Sequence, residues 1–154
     1  MMNQPDTTEP ARVRNGRRIH DLCSTLTRES LKRAQAALAD IGLSPGAYNL
    51  LRVLDGQEDM TIADIRKTLR VESATVSTLV MRMQRDGLIQ KEPSSHDKRA
   101  SVITSTPHAA TLLRRASEVM AVEASDMTHR LAEGEQIQLI ALLEKVLANL
   151  SSDP

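Results

Sequence analysis

The stretch Val71–Ile89 constrains the fold more than any other part of the chain. Its apolar residues recur at positions i, i+3, i+4 and i+7, so they form one apolar stripe along a helix. They are Val76, Leu79, Val80 and Met83. The other side carries short hydroxyl residues at its beginning and arginines at its end, and Gly87 follows as the stop signal. A helix with such a face suits the DNA major groove, although a merely solvated face has the same composition.

Composition favours one helical domain. Of the 154 residues 40% are hydrophobic but only 1% are aromatic, and Tyr48 is the one aromatic residue. Aliphatic side chains and seven methionines must therefore fill the interior, which disfavours a β-sandwich. Cys23 is also single, so we expect no disulfide within the chain and a reducing compartment. Because no apolar run approaches the roughly 20 residues that span a bilayer, and residues 1–18 lack the apolar core of a secretory signal, we expect a cytoplasmic protein with no membrane contact.

Charge is unevenly distributed although the net charge is zero. Between Thr61 and Ala100 eight basic residues face five acidic ones, whereas from Ser117 onward seven acidic residues face two basic ones. The positive segment contains the central helix. This uneven distribution permits a nucleic-acid partner, which the zero net charge of the whole chain would disfavour.

Caps and periodicity predict the elements before the central helix. We expect residues 1–15 to form a disordered arm and residues 16–41 to form a long helix. Ser44-Pro45 begins a second helix, and Thr61 with Asp64 begins a third, which only a short turn separates from the central helix. Two short helices joined by so tight a turn are the helix-turn-helix pattern.

Two β-prone runs follow the central helix, at residues 88–93 and 100–105, and predict a hairpin that flanks it as a wing. The loop between them is cationic at Lys98 and Arg99, where it can reach a minor groove. The predicted fold class is therefore mainly α with a small β-hairpin wing, a winged helix-turn-helix over residues 44–105.

Residues 106–150 predict two further helices with an interruption at Gly134, and Thr106-Pro107 begins the first of them. The last of these has an apolar arc that is wide for a terminal helix and needs cover on more than one side. We therefore expect residues 16–41 and 106–150 to be dimerisation helices of a homodimer, within a single domain of residues 16–150.

Five segments carry a family resemblance that runs from about Gly16 to Leu150. They are Leu43–Tyr48, Thr61–Ile65, Ser73–Val80, Arg85–Ile89 and Asp97–Arg99. In this order and spacing they resemble the MarR family of bacterial transcriptional regulators. The resemblance implies a homodimeric winged helix-turn-helix protein that binds double-stranded DNA at a near-palindromic operator. It also implies a repressor whose affinity falls when a small-molecule effector or an oxidant acts on it.

The resemblance also implies a set of DNA-binding residues. Those at the major groove would be Ser73, Thr75, Ser77, Thr78 and Arg82. In the wing, Arg99 would enter the minor groove beside Lys98, and Asp97 would orient it. Thr78 departs from the family pattern, which often has a basic residue there. This departure and the zero net charge leave open a helical protein-interaction module that no longer binds DNA.

A cavity beneath the central helix is our hypothesis for the effector site. Leu26, Tyr48 and Leu51 would line it, and His20 or Arg28 would be the polar anchor for an acidic aromatic ligand. A packed core explains the apolar members equally well.

Cys23 leaves open a redox-responsive repressor, because hydroperoxide sensors of the same family keep a reactive cysteine in the first helix. A small core or interface residue is the alternative. We expect no metal or cofactor, since no two histidines have the helical spacing of a metal site and no glycine-rich phosphate loop occurs. Ser95-His96-Asp97 contains the residue types of a hydrolytic triad, but neighbours in one loop cannot adopt its geometry, so we expect no enzyme.

Overall fold

The computed structural model describes residues 9–57, 60–94 and 101–151, which form six helices and a small three-stranded sheet. In chain order the elements are α1 (Ala11–Ala39), α2 (Pro45–Leu54), β1 (Met60–Thr61), α3 (Ile62–Leu69), α4 (Ser73–Arg85), β2 (Ile89–Pro93), β3 (Ser101–Ser105), α5 (Pro107–Thr128) and α6 (Glu133–Ser151). The predicted fold class, mainly α with a β-hairpin wing, is confirmed.

Helix α1 begins at Ala11, so the expectation of a disordered arm over residues 1–15 is wrong for residues 11–15. Pro10 occupies the N-cap position with φ −54° and ψ 137°, and the Glu9 carboxylate lies 2.7 Å from the Arg17 guanidinium. This ion pair joins the residue before the helix to its second turn. Charge pairing thus supports a helix where apolar periodicity, on which the prediction depended, is absent. Residues 1–8 of the predicted arm lie outside the described residues.

The starts of α2 and α3 have the side-chain caps that the sequence predicted. Ser44 Oγ accepts a hydrogen bond from the Ala47 N–H at 3.2 Å. In α3, Thr61 Oγ1 accepts from the Asp64 N–H at 3.2 Å, and Asp64 Oδ2 accepts from the Thr61 N–H at 3.0 Å. The Thr61 hydroxyl also donates to Asp64 Oδ2. This hydrogen bond and the one from the Thr61 N–H lower the pKa of Asp64, because both favour its ionised form. Both hydrogen bonds of a capping box are therefore present, although Asp is shorter than the usual Glu.

The turn between α3 and α4 depends on Arg70, which adopts the left-handed conformation with φ 53° and ψ 43°. Few non-glycine residues adopt it, since Cβ is crowded there. The conformation ends α3 within one residue, and the Val71 N–H still reaches the Arg66 carbonyl at 3.4 Å. Helix α4 can then begin at Ser73 in a new direction.

The sheet has the order β1-β3-β2 and is antiparallel throughout. The predicted hairpin pairs Ile89 with Ser105 at its base and Pro93 with Ser101 at its far end. Pro93, which has no N–H to donate, lies in the edge strand β2. The short strand β1 adds a third partner through Met60 and Ile103 and was not predicted. The wing tip, residues 95–100, lies outside the described residues.

The hydrophobic core lies between α2, α3, α4, the sheet and the first half of α5. Its largest fully buried side chains are Leu38, Leu50, Leu51, Ile65, Val76, Met83 and Ile103. Helix α1 contributes only Leu38 to this buried set. Helix α6 is different, because its apolar side chains are exposed, Ile140 by 57% and Leu150 by 79%. Among the described helices, none is both long and apolar enough to cross a membrane.

Candidate nucleic-acid interface

Helix α4 is held by one side only. Val76, Val80 and Met83 are buried in the core and fix its rotation about its own axis. Successive residues of an α-helix turn by about 100°, so the residues within about 60° of Thr78 point away from the core. They are Ala74, Thr75, Thr78, Met81, Arg82 and Arg85, all of them exposed. We call this set the outward face of α4.

The structure brings together three of the five major-groove residues that the sequence predicted. Thr75, Thr78 and Arg82 line one shallow groove of about 450 Å³, and its other lining residues are Ala74 and Leu79. Ser73 and Ser77 instead lie on the flank of α4, and Ser77 is half-buried. Leu79, which the periodicity placed in the buried stripe, is also only half-buried.

Three residues of the outward face were absent from the predicted set: Ala74, Met81 and Arg85. The family resemblance does not assign them, but helical spacing would have found them, because each lies three or four residues from Thr78 or from Met81. An interface defined from the helical geometry is therefore more apolar and more basic than the one predicted from motifs.

The first turn of α4 is open at its end. Its N-cap residue, Glu72, makes no side-chain capping hydrogen bond. The first N–H groups of a helix have no partner within the helix and form its positive pole, which attracts phosphate oxygens. A duplex backbone lying across this end would meet these donors.

The last turn of α4 holds two arginines on one carboxylate. Arg82 Nε lies 3.7 Å and Arg85 Nε 3.1 Å from the oxygens of Asp86. Each pair uses the Nε edge of its guanidinium, so both arginines are oriented by the same neighbour. They remain exposed and chemically suited to phosphates or guanine.

The wing begins directly beside α4. Thr106 Oγ1 donates to the Gly87 carbonyl at 2.9 Å and accepts from the Ala109 N–H at 3.2 Å, so one hydroxyl joins the end of α4 to the start of α5. The three wing residues of the predicted site, Asp97, Lys98 and Arg99, lie outside the described residues.

A large open cleft of about 850 Å³ lies between α1, α2 and α5. Of the predicted pocket residues, Leu26 and Tyr48 line it, whereas Leu51 is buried in the core. The remaining lining residues are Thr27, Ser30, Leu31, Ala34, Leu38, Pro45, Asn49, Arg52, Ser117, Met120, Ala121, Ala124 and Met127.

Neither of the two polar anchors predicted from the sequence lines this cleft. His20 is exposed beside Asp21, at 3.6 Å, and Arg28 donates to Thr25 Oγ1 at 3.4 Å. Neither lines the cleft, because a residue two or six positions from Leu26 on a helix lies well off its face. The cation that lines the cleft is Arg52, whose guanidinium carbon is 5.7 Å from the Tyr48 ring centre.

An ion pair between α1 and α5 lies next to the cleft. Arg33 Nε donates to the Glu123 carboxylate at 2.8 Å, and Asp126 is 3.9 Å away. The hydrogen bond and the charge of Glu123 raise the pKa of Arg33 above its ordinary value. These three residues hold the two helices that form the cleft walls together.

Cys23 is half-buried in α1, and its carbonyl accepts from Thr27 Oγ1 at 2.9 Å. It does not line the cleft. Among the residues that the structure describes, no three His, Cys, Asp or Glu side chains lie together as metal ligands would.

The arrangement of α2, α3, α4 and the β2–β3 hairpin defines a winged helix-turn-helix protein, extended here by three further helices. Residues 41–100 match the model of the MarR family. Over these residues, which include α2, α3 and α4, the chain is similar to the MarR family, whose members are transcriptional regulators and not enzymes.

Individual proteins show the same similarity. The organic hydroperoxide resistance transcriptional regulator of Bacillus subtilis (strain 168) is 27% identical, over 65% of this chain and 70% of that protein. The HTH-type transcriptional repressor IacR of Pseudomonas putida is 24% identical, over 99% of both chains. Among solved structures, MepR of S. aureus in complex with DNA superposes with a TM-score of 0.77 at 24% identity, over 84% of this chain and 94% of that chain.

Proposed function

We propose that this regulator is a sequence-specific DNA-binding repressor that acts as a homodimer on a near-palindromic operator. The observation that carries the proposal is the outward face of α4, which is small, exposed and basic at its end while its opposite side is anchored in the core. Such a helix can enter a major groove without losing its own support. The likeness to MepR, whose structure is a complex with DNA, supports the same use of α4.

The homodimer is supported by apolar side chains that a single chain leaves uncovered. Along α6, Ile137, Ile140 and Leu147 are each more than half exposed. On α1, Leu22 and Leu31 are half exposed as well. Such a surface favours burial against a second copy. We therefore assign residues 16–41 and 106–150 to dimerisation and residues 44–105 to DNA binding.

Selection of bound fragments from the source genome tests the proposal. We expect one enriched palindrome with half-sites about 10 base pairs apart and an affinity that falls steeply with salt. Arg82→Ala should weaken operator binding at least about fivefold if the arginine contacts a base, since such a contact is worth about 1–3 kcal/mol. Gln84→Ala, an exposed change on the flank of the same helix, should not.

Arg99→Ala tests the wing separately. We expect weaker operator binding, because the family resemblance places this arginine in the minor groove. Unchanged binding would contradict the wing assignment. If wild-type protein enriches no sequence at all, the helical protein-interaction module is the better interpretation.

We further propose that the cleft between α1, α2 and α5 binds a small acidic aromatic effector that releases DNA. Most of its lining side chains are apolar, and Arg52, which lies over the Tyr48 ring, offers a cation to an acidic ligand. Benzoate and its uncharged amide are suitable probes. Benzoate should bind more tightly than benzamide, and Arg52→Gln should remove the difference, whereas Arg28→Gln, outside the cleft, should preserve it.

Redox sensing through Cys23 is the alternative form of regulation. Cumene hydroperoxide is the probe, and Cys23→Ser is the matched variant. Under the effector proposal, peroxide leaves operator binding of both proteins unchanged. Loss of binding in the wild type but not in Cys23→Ser would favour the redox alternative.

A further inference from the structure

Met81 is the most exposed long apolar side chain on the outward face of α4, with 65% of its area accessible. The other long apolar residues of α4 are buried or half-buried. Met81 lies three residues after Thr78 and four before Arg85, so it occupies the same ridge of the helix as these two side chains. An apolar side chain in the middle of this ridge indicates that the surface it meets is partly apolar.

The partner that meets this ridge is defined by its neighbours. Arg82 and Arg85 flank Met81 and are suited to phosphates, so a nucleic acid fits this surface better than an acidic or apolar protein segment does. The surface facing Met81 must therefore be an apolar group within the groove of a nucleic acid. In the major groove of DNA that group is the C5-methyl of thymine.

The rest of the outward face agrees with this assignment. Ala74, Thr75 and Thr78 present methyl groups, and apolar carbon is the chemistry that contacts thymine methyls. Asn and Gln, which would hydrogen-bond adenine in two places, are absent from the face, since Gln84 lies about 120° from Thr78 around the helix. An A·T pair would thus be recognised from its thymine.

We propose that Met81 is a specificity-determining residue that reads thymine methyl groups in each half-site. This inference rests on the proposed function as a DNA-binding repressor. It predicts the bases of the half-site. Thymines contact Met81 and the methyl-bearing residues, and guanine contacts the arginines of the last turn.

Replacing thymine by uracil in the selected operator tests the inference, because uracil lacks only the methyl group. The operator is first obtained by selection with wild-type protein, and each thymine of one half-site is then replaced in turn. We expect about fourfold weaker binding for each methyl that α4 covers, the effect of losing one buried carbon. In Met81→Ala the uracil penalty should disappear at one position or more, while Met81→Leu should keep it.

Gln84→Ala is the matched control on the same helix and should retain every uracil penalty of the wild type. The melting temperature of each variant confirms that it is folded. Equal wild-type affinity for the thymine and uracil operators overturns the inference but leaves the repressor proposal intact. A full uracil penalty at every position in Met81→Ala also overturns it. Failure of wild-type protein to enrich any sequence overturns both proposals.

Discussion

Asp86 lies where a carboxylate is unfavourable for α4, at the negative pole of the helix and next to the surface proposed to meet DNA. Arg82 and Arg85 offset this, since both place Nε within 4 Å of its oxygens. Pairs this exposed contribute only about 0–1 kcal/mol to folding. The effect of Asp86 should therefore appear in binding rather than in stability.

Asp86→Asn should raise the affinity for a random-sequence duplex several-fold and make its dependence on salt steeper by about one unit of slope, because the arginines lose a competing anion. Fluorescence anisotropy at four salt concentrations measures both quantities. Glu118→Gln removes the same charge from an exposed position on α5 and is the control. Equal gains in the two variants would mean that only net charge matters.

Some single residues could be predicted from the sequence, and others could not. Helical spacing predicted the buried Val76, Val80 and Met83, because one face of one helix is a local property. The cation of the cleft could not be found in this way. Arg52 meets the cleft only because α2 packs against α1 and α5, and that packing is not encoded in the spacing of either helix.

At the scale of elements, three helix N-caps could be predicted from the sequence. Ser44, Thr61 and Thr106 each accept a hydrogen bond from the N–H three residues later, as their positions before Pro or an apolar run predicted. The start of α1 was not readable, since the Glu9–Arg17 pair supplies what apolar spacing does not. Strand β1 has only two residues, too few for any period, and exists because β3 offers it an edge.

Asp64→Asn should lower the melting temperature by a few degrees at pH 7, because a carboxylate accepts the capping hydrogen bonds better than an amide does. Hydrogen bonds from Thr61 lower the pKa of Asp64 in the folded chain. Its contribution is therefore complete above the unfolded value of about 3.9 and is lost as the pH falls through the folded pKa.

Calorimetry from pH 7 to pH 3 checks this prediction. The gap between wild type and Asp64→Asn should narrow as the pH falls below about 3.9. Glu72→Gln, which removes a carboxylate that makes no capping hydrogen bond, should change the melting temperature little. A gap that persists unchanged at pH 3 would argue against the capping carboxylate as its cause.

Thr106→Val should destabilise the fold by about 1–2 kcal/mol, because it removes the cap of α5 and the bond to the Gly87 carbonyl while conserving shape. Urea unfolding measures the free energy of unfolding. Thr106→Ser keeps the hydroxyl and should lose much less. Equal losses in both variants would contradict the hydroxyl as the cause.

At the scale of the whole molecule, the buried core and the uncovered apolar surface are on different elements. The core joins α2, α3, α4 and the sheet, whereas every described side chain of α6 is at least partly exposed. The wide apolar arc of α6 was visible in the sequence. The surface that covers this arc depends on how the chains assemble, so it could not be predicted from the spacing of residues in one chain.

Ile140→Lys should convert the proposed dimer into a species of half its mass, because it puts a charge into an apolar surface that the second copy would cover. Analytical ultracentrifugation measures this mass. Gln138→Lys adds the same charge on the polar side of α6 and should leave the dimer intact. Wild-type protein that sediments as a single chain would contradict the assembly itself.

Tyr48 lies in the wall of the cleft, under the Arg52 guanidinium, and the chain has no tryptophan. The ultraviolet emission of the protein therefore comes from Tyr48. A compound that enters the cleft changes the surroundings of this single fluorophore, so occupancy can be titrated in unlabelled protein, with or without DNA. The scarcity of aromatic side chains thus gives this protein an optical probe of its proposed effector cleft.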